Sequence, residues 1–365
     1  MSNRIKILYT IPNFDTAGSS KVVYDLIKGL NKEKFDISVA CKHNRGEFFK
    51  EVEKLPVSIY ILNTTKAYRP YLTLYKRLTP VVKFFEEHEF DIIHSWDWSS
   101  DWTESVAAHR AGAKWIYTKK AMSWGNQHWK IRSLFANFIV TINHEMRDYF
   151  PYKKSQKLIP IGVDTNYYNP DIFVSGDDRT EETFEIVAVA NLVPVKGIEI
   201  LLKAVFNMSD PLLKLKLVGD DRDPYAQQLQ KLAEELGIEQ QVEFTGKKKD
   251  VRPFILESDV YVIPTLDIGR KEGMPMALVE AMSMGIPVLG SDISGINFVL
   301  KDFPNLMFKA SNSKELAHKL QEMKDSGKEY RKELGGSLRN YTIKNFSMDQ
   351  FIDQHEKLYE NLLKR

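Results

Sequence analysis

The sequence predicts an α/β protein built from two doubly wound halves. Three observations carry that prediction. Short apolar strands alternate with helical stretches from Ile5 to Ile161. A polar, turn-rich segment then interrupts the alternation from Thr165 to Thr183, and it restarts at Phe184 and runs to Gly290. Such alternation gives a parallel sheet with helices on both faces. At 365 residues the chain exceeds one ordinary core and suits two.

The first half opens with an apolar strand, Ile5 to Ile11. The small residues Thr16-Ala17-Gly18-Ser19-Ser20 read as a flexible loop, and Lys21 to Leu30 has helical spacing. Further strands are expected at Ile37–Ala40, Val57–Leu62, Asp91–His94, Trp115–Thr118, Phe138–Ile142 and Lys157–Ile161. The segment TNYYNPDIFVSGDDRTEET has no clear period and reads as a linker. The second half begins with strand Phe184–Ala190 and amphipathic helix Gly197–Met208. Strand Leu213–Gly219 and helix Tyr225–Leu236 follow, the helix stopped by Gly237. Strands are then expected at Gln241–Thr245, Val260–Pro264 and Pro287–Gly290. The predicted domains are 1–170 and 184–346. Ser347–Arg365 forms a last amphipathic helix, capped by Ser347 or a neighbour. In open parallel sheets ligands bind beyond the carboxyl ends of the strands, so two such domains facing each other would make a cleft.

Composition narrows the function classes. Hydrophobic residues at 43% and charged residues at 27% are ordinary for a globular protein. A net charge of +2 gives no strong field for nucleic acid. The single cysteine, Cys41, excludes an internal disulfide and a multi-cysteine metal site, and suits the cytoplasm. The opening MSNRIKILYTIPNF goes straight into a strand without the apolar core of a signal peptide. No run reaches the roughly 18 apolar residues of a membrane-spanning helix. No metal motif is visible; Asp220-Asp221 are adjacent rather than spaced and read as loop charge. No G-x-G-x-x-G follows either opening strand, which argues against a dehydrogenase.

The stretch RKEGMPMALVEAMSMGIPVLG, Arg270 to Gly290, concentrates the chemistry. Pro275 suits the first position of a helix. Met276 to Met284 is apolar almost all round, as an interior helix is, and Gly285 stops it. Glu280 sits in that helix, where a carboxylate needs a hydrogen-bonding partner. Glu272 lies in the loop feeding the helix N-terminus, whose free N–H groups and dipole suit a phosphate. A ligand with a phosphate between two hydroxyl-rich ends would satisfy all three features. The plain alternative is a solvated Glu272 and a core Glu280 paired with a lysine. Lys196 follows a strand and precedes a helix, a point charge fit to neutralise a diphosphate or simply a solvated lysine.

The run EGMPMALVEAMSMGIPVLGSD resembles the Glu-x7-Glu signature of the retaining family-4 glycosyltransferases of GT-B fold. The resemblance implies GT-B architecture, two Rossmann-like domains facing an interdomain cleft, with the last helix, 347–365, crossing back to pack on the first domain. It implies that Glu272 contacts the donor sugar and that Glu280 holds the nucleotide ribose. It adds Gly273 and Met274 to the donor-binding set. Lys196-Gly197 matches the family's Lys-Gly, while Asn191 stands where many members carry a diphosphate-binding Arg. Gly219 ends a strand beside the expected nucleotide site, Val242-Glu243-Phe244-Thr245-Gly246 is similar to the family's V-x-F-x-G, and Pro264-Thr265-Leu266 should lie near the base. Ser294-Gly295 stands where paired glycines are common. In the first domain Gly18 lies where the family has two glycines, although Ser19 and Ser20 could simply cap the helix. Asp91-Ile92-Ile93-His94 and Ile161-Gly162-Val163-Asp164 match family turns. Lys120 takes the place of a donor-contacting His; His128 could substitute for it or be a plain loop residue.

The resemblance implies a metal-independent, retaining hexosyltransferase. Its donor would be a nucleotide-diphosphate sugar of UDP or GDP type, with no further cofactor, bound mainly by the second domain. Its acceptor would be a hydroxyl of a saccharide or lipid-linked sugar, in cell-surface polysaccharide or glycolipid synthesis. Lys196 and helix N-termini would stabilise the leaving diphosphate in place of Mg²⁺. Lys66 to Phe85 interleaves Lys66, Arg69, Lys76, Arg77 and Lys83 with aromatic and leucine residues. That composition suits a peripheral contact at the inner membrane face, or a surface helix with one face on its own core. Trp124, Trp129, Lys130 and Arg132 could extend such a surface or line an acceptor groove. A nucleotide-sugar epimerase and a non-catalytic GT-B binding module remain open alternatives.

Overall fold

The computed structural model describes residues 4–15, 17–122, 125–173, 183–269 and 272–364. Thr16, Trp124, Arg270, Lys271 and part of the 165–183 linker therefore lie outside the described residues. The chain divides into two compact units, one running to Gly162 and resuming at Met348, the other spanning Val163–Ser347.

The first unit holds seven parallel strands: β1 (Ile5–Ile11), β2 (Phe35–Cys41), β3 (Ser58–Ile61), β4 (Ile92–Ser95), β5 (Lys114–Lys119), β6 (Phe138–Thr141) and β7 (Gln156–Leu158). Their order is β3-β2-β1-β4-β5-β6-β7. The central strands are buried on both faces, as helix-covered parallel sheets require: Ile7, Leu8 and Tyr9 of β1 are fully buried. Helices α1 (Ala17–Gly29), α2 (Phe49–Val52), α3 (Tyr71–His88), α4 (Thr103–Arg110), α5 (Gln127–Phe135) and α6 (Glu145–Asp148) connect them. α3 buries Leu78, Val81, Val82 and Phe85, one stripe of a 3.6-residue period. That stripe packs with Ala107 and Ala108 of α4 and Trp115 of β5.

The second unit holds β8 (Phe184–Val189), β9 (Leu213–Val218), β10 (Val242–Gly246), β11 (Val260–Ile263), β12 (Val288–Ser291) and β13 (Met307–Phe308). They too are parallel, in the order β10-β9-β8-β11-β12-β13. The helices are α7 (Ile198–Met208), α8 (Pro224–Glu235), α9 (Arg252–Leu256), α10 (Met276–Ser283), α11 (Ser294–Val299), α12 (Ser313–Asp325) and α13 (Gly327–Phe346). Among the described residues no helix is long and apolar enough to cross a membrane.

Several boundaries differ from expectation for local reasons. α1 is broken at Gly18 (φ 14°, ψ −122°), so its regular part begins at Ser19 rather than at the expected Lys21, and Ser19 and Ser20 belong to the helix instead of preceding it. β7 ends at Leu158, three residues early, because Pro160 has no N–H for a ladder. Pro275 is the extended cap before α10, not its first turn; its carbonyl accepts from the amides of Leu278 and Val279. α10 is not buried all round either, since Met276, Ala277 and Glu280 share a partly open face.

α13 was not apparent in the sequence, where Gly335-Gly336 looks like a helix breaker. Its packing explains the glycine: a Cβ on Gly335 would lie 1.8 Å from the carbonyl oxygen of Gly285, at the end of α10. We expect Gly335→Ala to lower unfolding free energy by about 1–3 kcal/mol through overpacking. A urea midpoint equal to wild type would contradict this account.

The last helix, α14 (Met348–Leu363), belongs to the first unit. Its Tyr359 is fully buried, with the hydroxyl 2.7 Å from that of Tyr9 in β1 and 2.8 Å from Nδ1 of His94 in β4. His94 Nε2 lies 2.8 Å from the Thr118 hydroxyl of β5, so one polar chain ties α14 across three strands.

Candidate active site

In the second sheet the strand order reverses between β8 and β11. A crevice opens there at the carboxyl ends, where doubly wound sheets bind ligands. It is lined by Ala188–Ala190, Lys196, Pro264, Thr265, Glu272 and Pro275–Ala277.

Each wall has a sequence reason. After β8 the chain makes a short 3-10 turn, Pro194–Lys196, and Gly197 adopts a left-handed conformation (φ 64°) to begin α7. A Cβ on Gly197 would also lie 2.1 Å from the Pro264 carbonyl oxygen, so glycine is required there twice over. The turn aims Lys196 across the crevice, where its Nζ donates to Glu272 Oε1 in an ion pair. Gly273 and Met274 are buried beneath the loop. A Cβ on Gly295 in α11 would lie 2.5 Å from the Glu272 carbonyl oxygen, so this glycine lets α11 press against the loop and set its height. The first turn of α10 then presents backbone N–H groups and a positive dipole end to the crevice.

Glu280 lies one turn further along α10, on the face of Met276 and Ala277, partly exposed. The Tyr168 hydroxyl hydrogen-bonds it. Burial, and then the Glu280 charge, push the Tyr168 phenol well above its usual range, so it stays a donor. Tyr168 is itself clamped, its carbonyl accepting from Ser283 Oγ at 2.7 Å and Arg339 Nη1 at 3.0 Å. Tyr261 of β11 is also held protonated, by burial and then by Glu280, and donates to the Val189 carbonyl at 3.2 Å. Tyr168 was missed in the sequence because it sits in the turn-rich linker, without periodicity. Thr265 was placed near the base only as part of a tripeptide. Among the described residues its buried hydroxyl has no hydrogen-bond partner, and it lines the crevice.

The other expected residues fall elsewhere. Gly219 packs against the loop after β8, where a Cβ would meet the Ala190 carbonyl oxygen at 2.1 Å; it shapes the wall rather than opening backbone to a ligand. Asn191 is exposed, its carbonyl accepting from Val193 N at 2.9 Å. Asp220 is half-buried and paired with Arg222, which holds its carboxyl down to about 2. Gly18 and Lys120 lie in the first unit, at the carboxyl edge of its sheet. Lys120 Nζ donates to the Trp96 carbonyl at 2.7 Å and sits 5.4 Å from both the Trp96 and Trp98 rings. His128 is built into an aromatic group, accepting from Trp102 Nε1 at 3.2 Å with Tyr68 4.7 Å away.

Two parallel doubly wound sheets in one chain, one bearing a cation, a helix N-terminus and two carboxylates at its switch point, define a glycosyltransferase of GT-B fold. Family profiles agree over most of the chain: residues 16–167 match Glycosyltransferase Family 4 and residues 175–340 match Glycosyl transferases group 1. The chain belongs to the family-4 glycosyltransferases. It is 25% identical over 303 residues to an uncharacterized glycosyltransferase of Haemophilus influenzae, covering 79% of this chain and 81% of that one. It is 21% identical over 383 residues to an Escherichia coli UDP-Gal:alpha-D-GlcNAc-diphosphoundecaprenol alpha-1,3-galactosyltransferase, covering 95% and 94%. The fold matches Anabaena Alr3699/HepE, solved in complex with UDP, with a TM-score of 0.81 at 18% identity over 98% of this chain and 100% of that one.

Proposed function

We propose that this glycosyltransferase moves a hexose, with retention and without a metal ion, from a nucleoside-diphosphate sugar to a hydroxyl of a saccharide or lipid-linked acceptor. The observation that carries the reading is the convergence of Lys196, Glu272 and the α10 N-terminus, with Glu280 one turn beyond, at the switch point of the second sheet. The spacing suits an extended donor: Glu280, oriented by Tyr168, would accept from the ribose hydroxyls. Lys196 and the α10 dipole would face the diphosphate, and Glu272 would accept from the sugar. The UDP complex of HepE and the diphosphoundecaprenol-linked acceptor of the E. coli relative support a UDP-type donor and a lipid-linked acceptor.

In the proposed reaction the bond from the anomeric carbon to the diphosphate breaks, and its electron pair stays on the diphosphate. The acceptor oxygen bonds to the anomeric carbon, and its proton passes to the departing diphosphate. Lys196 and the helix dipole act where negative charge grows, which is where electrostatic stabilisation is largest.

Thermal unfolding with UDP, GDP, ADP and CMP in excess EDTA tests the donor site. One nucleotide at about 100 times its dissociation constant should add roughly 2.7 kcal/mol of stability. Glu280→Ala should weaken that nucleotide by about 1.5–3 kcal/mol, the range for a charged hydrogen bond, and Tyr168→Phe by less. No shift with any nucleotide in the folded protein would remove the donor site, and an inverted anomeric product by NMR would remove retention.

A further inference from the structure

The first sheet has a switch point of its own. Its strand order reverses between β1 and β4, where ligands of doubly wound sheets bind beyond the carboxyl ends. A small pocket stands there, lined by Thr10 of β1, Lys42 after β2, Thr64 after β3, and Asp97 and Glu104 after β4. Its free volume is about 10 Å³, room for one water-sized group.

Two of these side chains are more than nine-tenths buried and still have hydrogen-bonding capacity. Thr10 is 3% exposed, and its hydroxyl has no partner among the described residues. Asp97 is 7% exposed, and its Oδ1 accepts from Ser99 N at 2.7 Å. Its Oδ2 has, among the described residues, the Lys42 ammonium at 4.0 Å, beyond hydrogen-bond reach. Glu104 is buried too, but both of its oxygens are engaged, by Thr64 and by Trp115 Nε1 at 2.9 Å. Buried polar groups with unused capacity are costly, so Thr10 and Asp97 point to a ligand.

The loop that carries Asp97 is held from beneath. Arg132 is fully buried against the rings of Trp115 and Tyr117. It donates to the Asp101 carbonyl, to the Ser95 hydroxyl at 3.1 Å and to the Asp97 carbonyl at 3.4 Å. Arg132 and Trp129, which the sequence allowed as lining of an acceptor groove, are therefore interior residues; Arg132 sets the shape of the loop from within. Burying a guanidinium is expensive, and a binding site is where such rigid support is needed. The loop presents Trp98 outward, 44% exposed, with Lys120 Nζ 5.4 Å from its ring.

We infer, resting on the transfer reaction proposed above, that this pocket reads a single hydroxyl of a neutral pyranose, the terminal sugar of the acceptor, and that Asp97 is its specificity-determining residue. The hydroxyl donates to Asp97 Oδ2 and accepts from Thr10 and Lys42, which uses its one donor and two acceptor sites. The C–H face of the pyranose packs on the Trp98 indole. An acetamido group at the read position exceeds the volume. The two carboxylates repel an acidic group there, and Lys42 repels an ammonium. A sugar lacking that hydroxyl leaves Asp97 and Thr10 unpaired, the most effective ground for rejecting an analogue.

Saturation-transfer NMR on the full chain, with and without UDP, tests the pocket with octyl β-glycosides of glucose, galactose and mannose and their monodeoxy forms. At least one neutral hexoside should bind, and one of its monodeoxy forms should bind at least about tenfold more weakly. In Asp97→Ala that difference should shrink to within about twofold. In Thr10→Val, which keeps the side-chain shape and leaves the loop alone, it should shrink at least about threefold. Affinity for the monodeoxy form itself should stay within about twofold of wild type in both variants, which a general loss of loop structure would not give. A deoxy penalty that survives in Asp97→Ala and Thr10→Val, or a folded wild type that binds no neutral hexoside, would overturn the inference. The nucleotide melting shift reports on the second unit. Its persistence beside a failed glycoside test removes this pocket alone, whereas its loss in the wild type removes the transfer reading.

Discussion

Lys196→Ala is expected to lower kcat about 10²–10³-fold, or roughly 2.7–4 kcal/mol, the loss typical of removing one preorganised donor from a developing anion. The turn Pro194–Lys196 and the left-handed Gly197 fix the lysine backbone over the crevice, so little reorganisation is needed when charge builds on the diphosphate. Nucleoside-diphosphate affinity should fall as well, because the ground state already carries charge. Lys196→Arg should recover only part of the rate, since a planar fork replaces a compact point charge at a site shared with Glu272. Glu272→Gln gives the complementary result: it frees Lys196 for the diphosphate, so UDP or GDP binds at least as tightly while sugar transfer drops. Steady-state kinetics with donor and acceptor, beside melting curves for folding, would decide. A kcat within threefold of wild type for Lys196→Ala would end its assignment to the leaving group.

Acid should unfold this protein partly through the polar chain that seats α14. His94 and His355 are both fully buried. Burial lowers the pKa of each below 6.5, His94 far below, with His355 and then Lys120 adding repulsion, and His355 to about 4. Tyr9 and Tyr359 face them as neutral phenols, their pKa values raised by burial. Between pH 6.5 and 4 the unfolded chain binds protons that the folded chain refuses. The stabilising contribution is therefore complete above about pH 6.5 and is lost as pH falls toward 4. His355 alone accounts for about 3 kcal/mol over that window. Its Nδ1–H donates to the Phe351 carbonyl at 2.8 Å, while Nε2 has no partner among the described residues, so His355→Leu removes little bonding. Urea unfolding from pH 7 to 4 should show a shallower loss for His355→Leu than for wild type, by about one proton. Parallel curves would refute the linkage.

The sequence by itself determined the strand–helix alternation, because a buried strand or an amphipathic helix is written in neighbours two or four residues apart. It also determined the candidate glutamates, whose eight-residue spacing spans one loop and about one helical turn. Some boundaries slipped where single residues intervened, as at Gly18, Pro160 and Pro275, and several strand ends moved by one or two residues. α13 was illegible because its Gly335 answers to the Gly285 carbonyl of another helix, not to helix propensity. What the tertiary structure alone decided are the partners. Lys196 and Glu272 meet from 76 positions apart, across a strand-order reversal that no local pattern records. Glu280 finds a tyrosine from the linker. Tyr359 reaches Tyr9 from 350 positions away, the contact that seats the last helix on the first sheet as the resemblance implied. Each depends on crossovers that bring distant backbone together, and the side chains there are read only after the chain has closed.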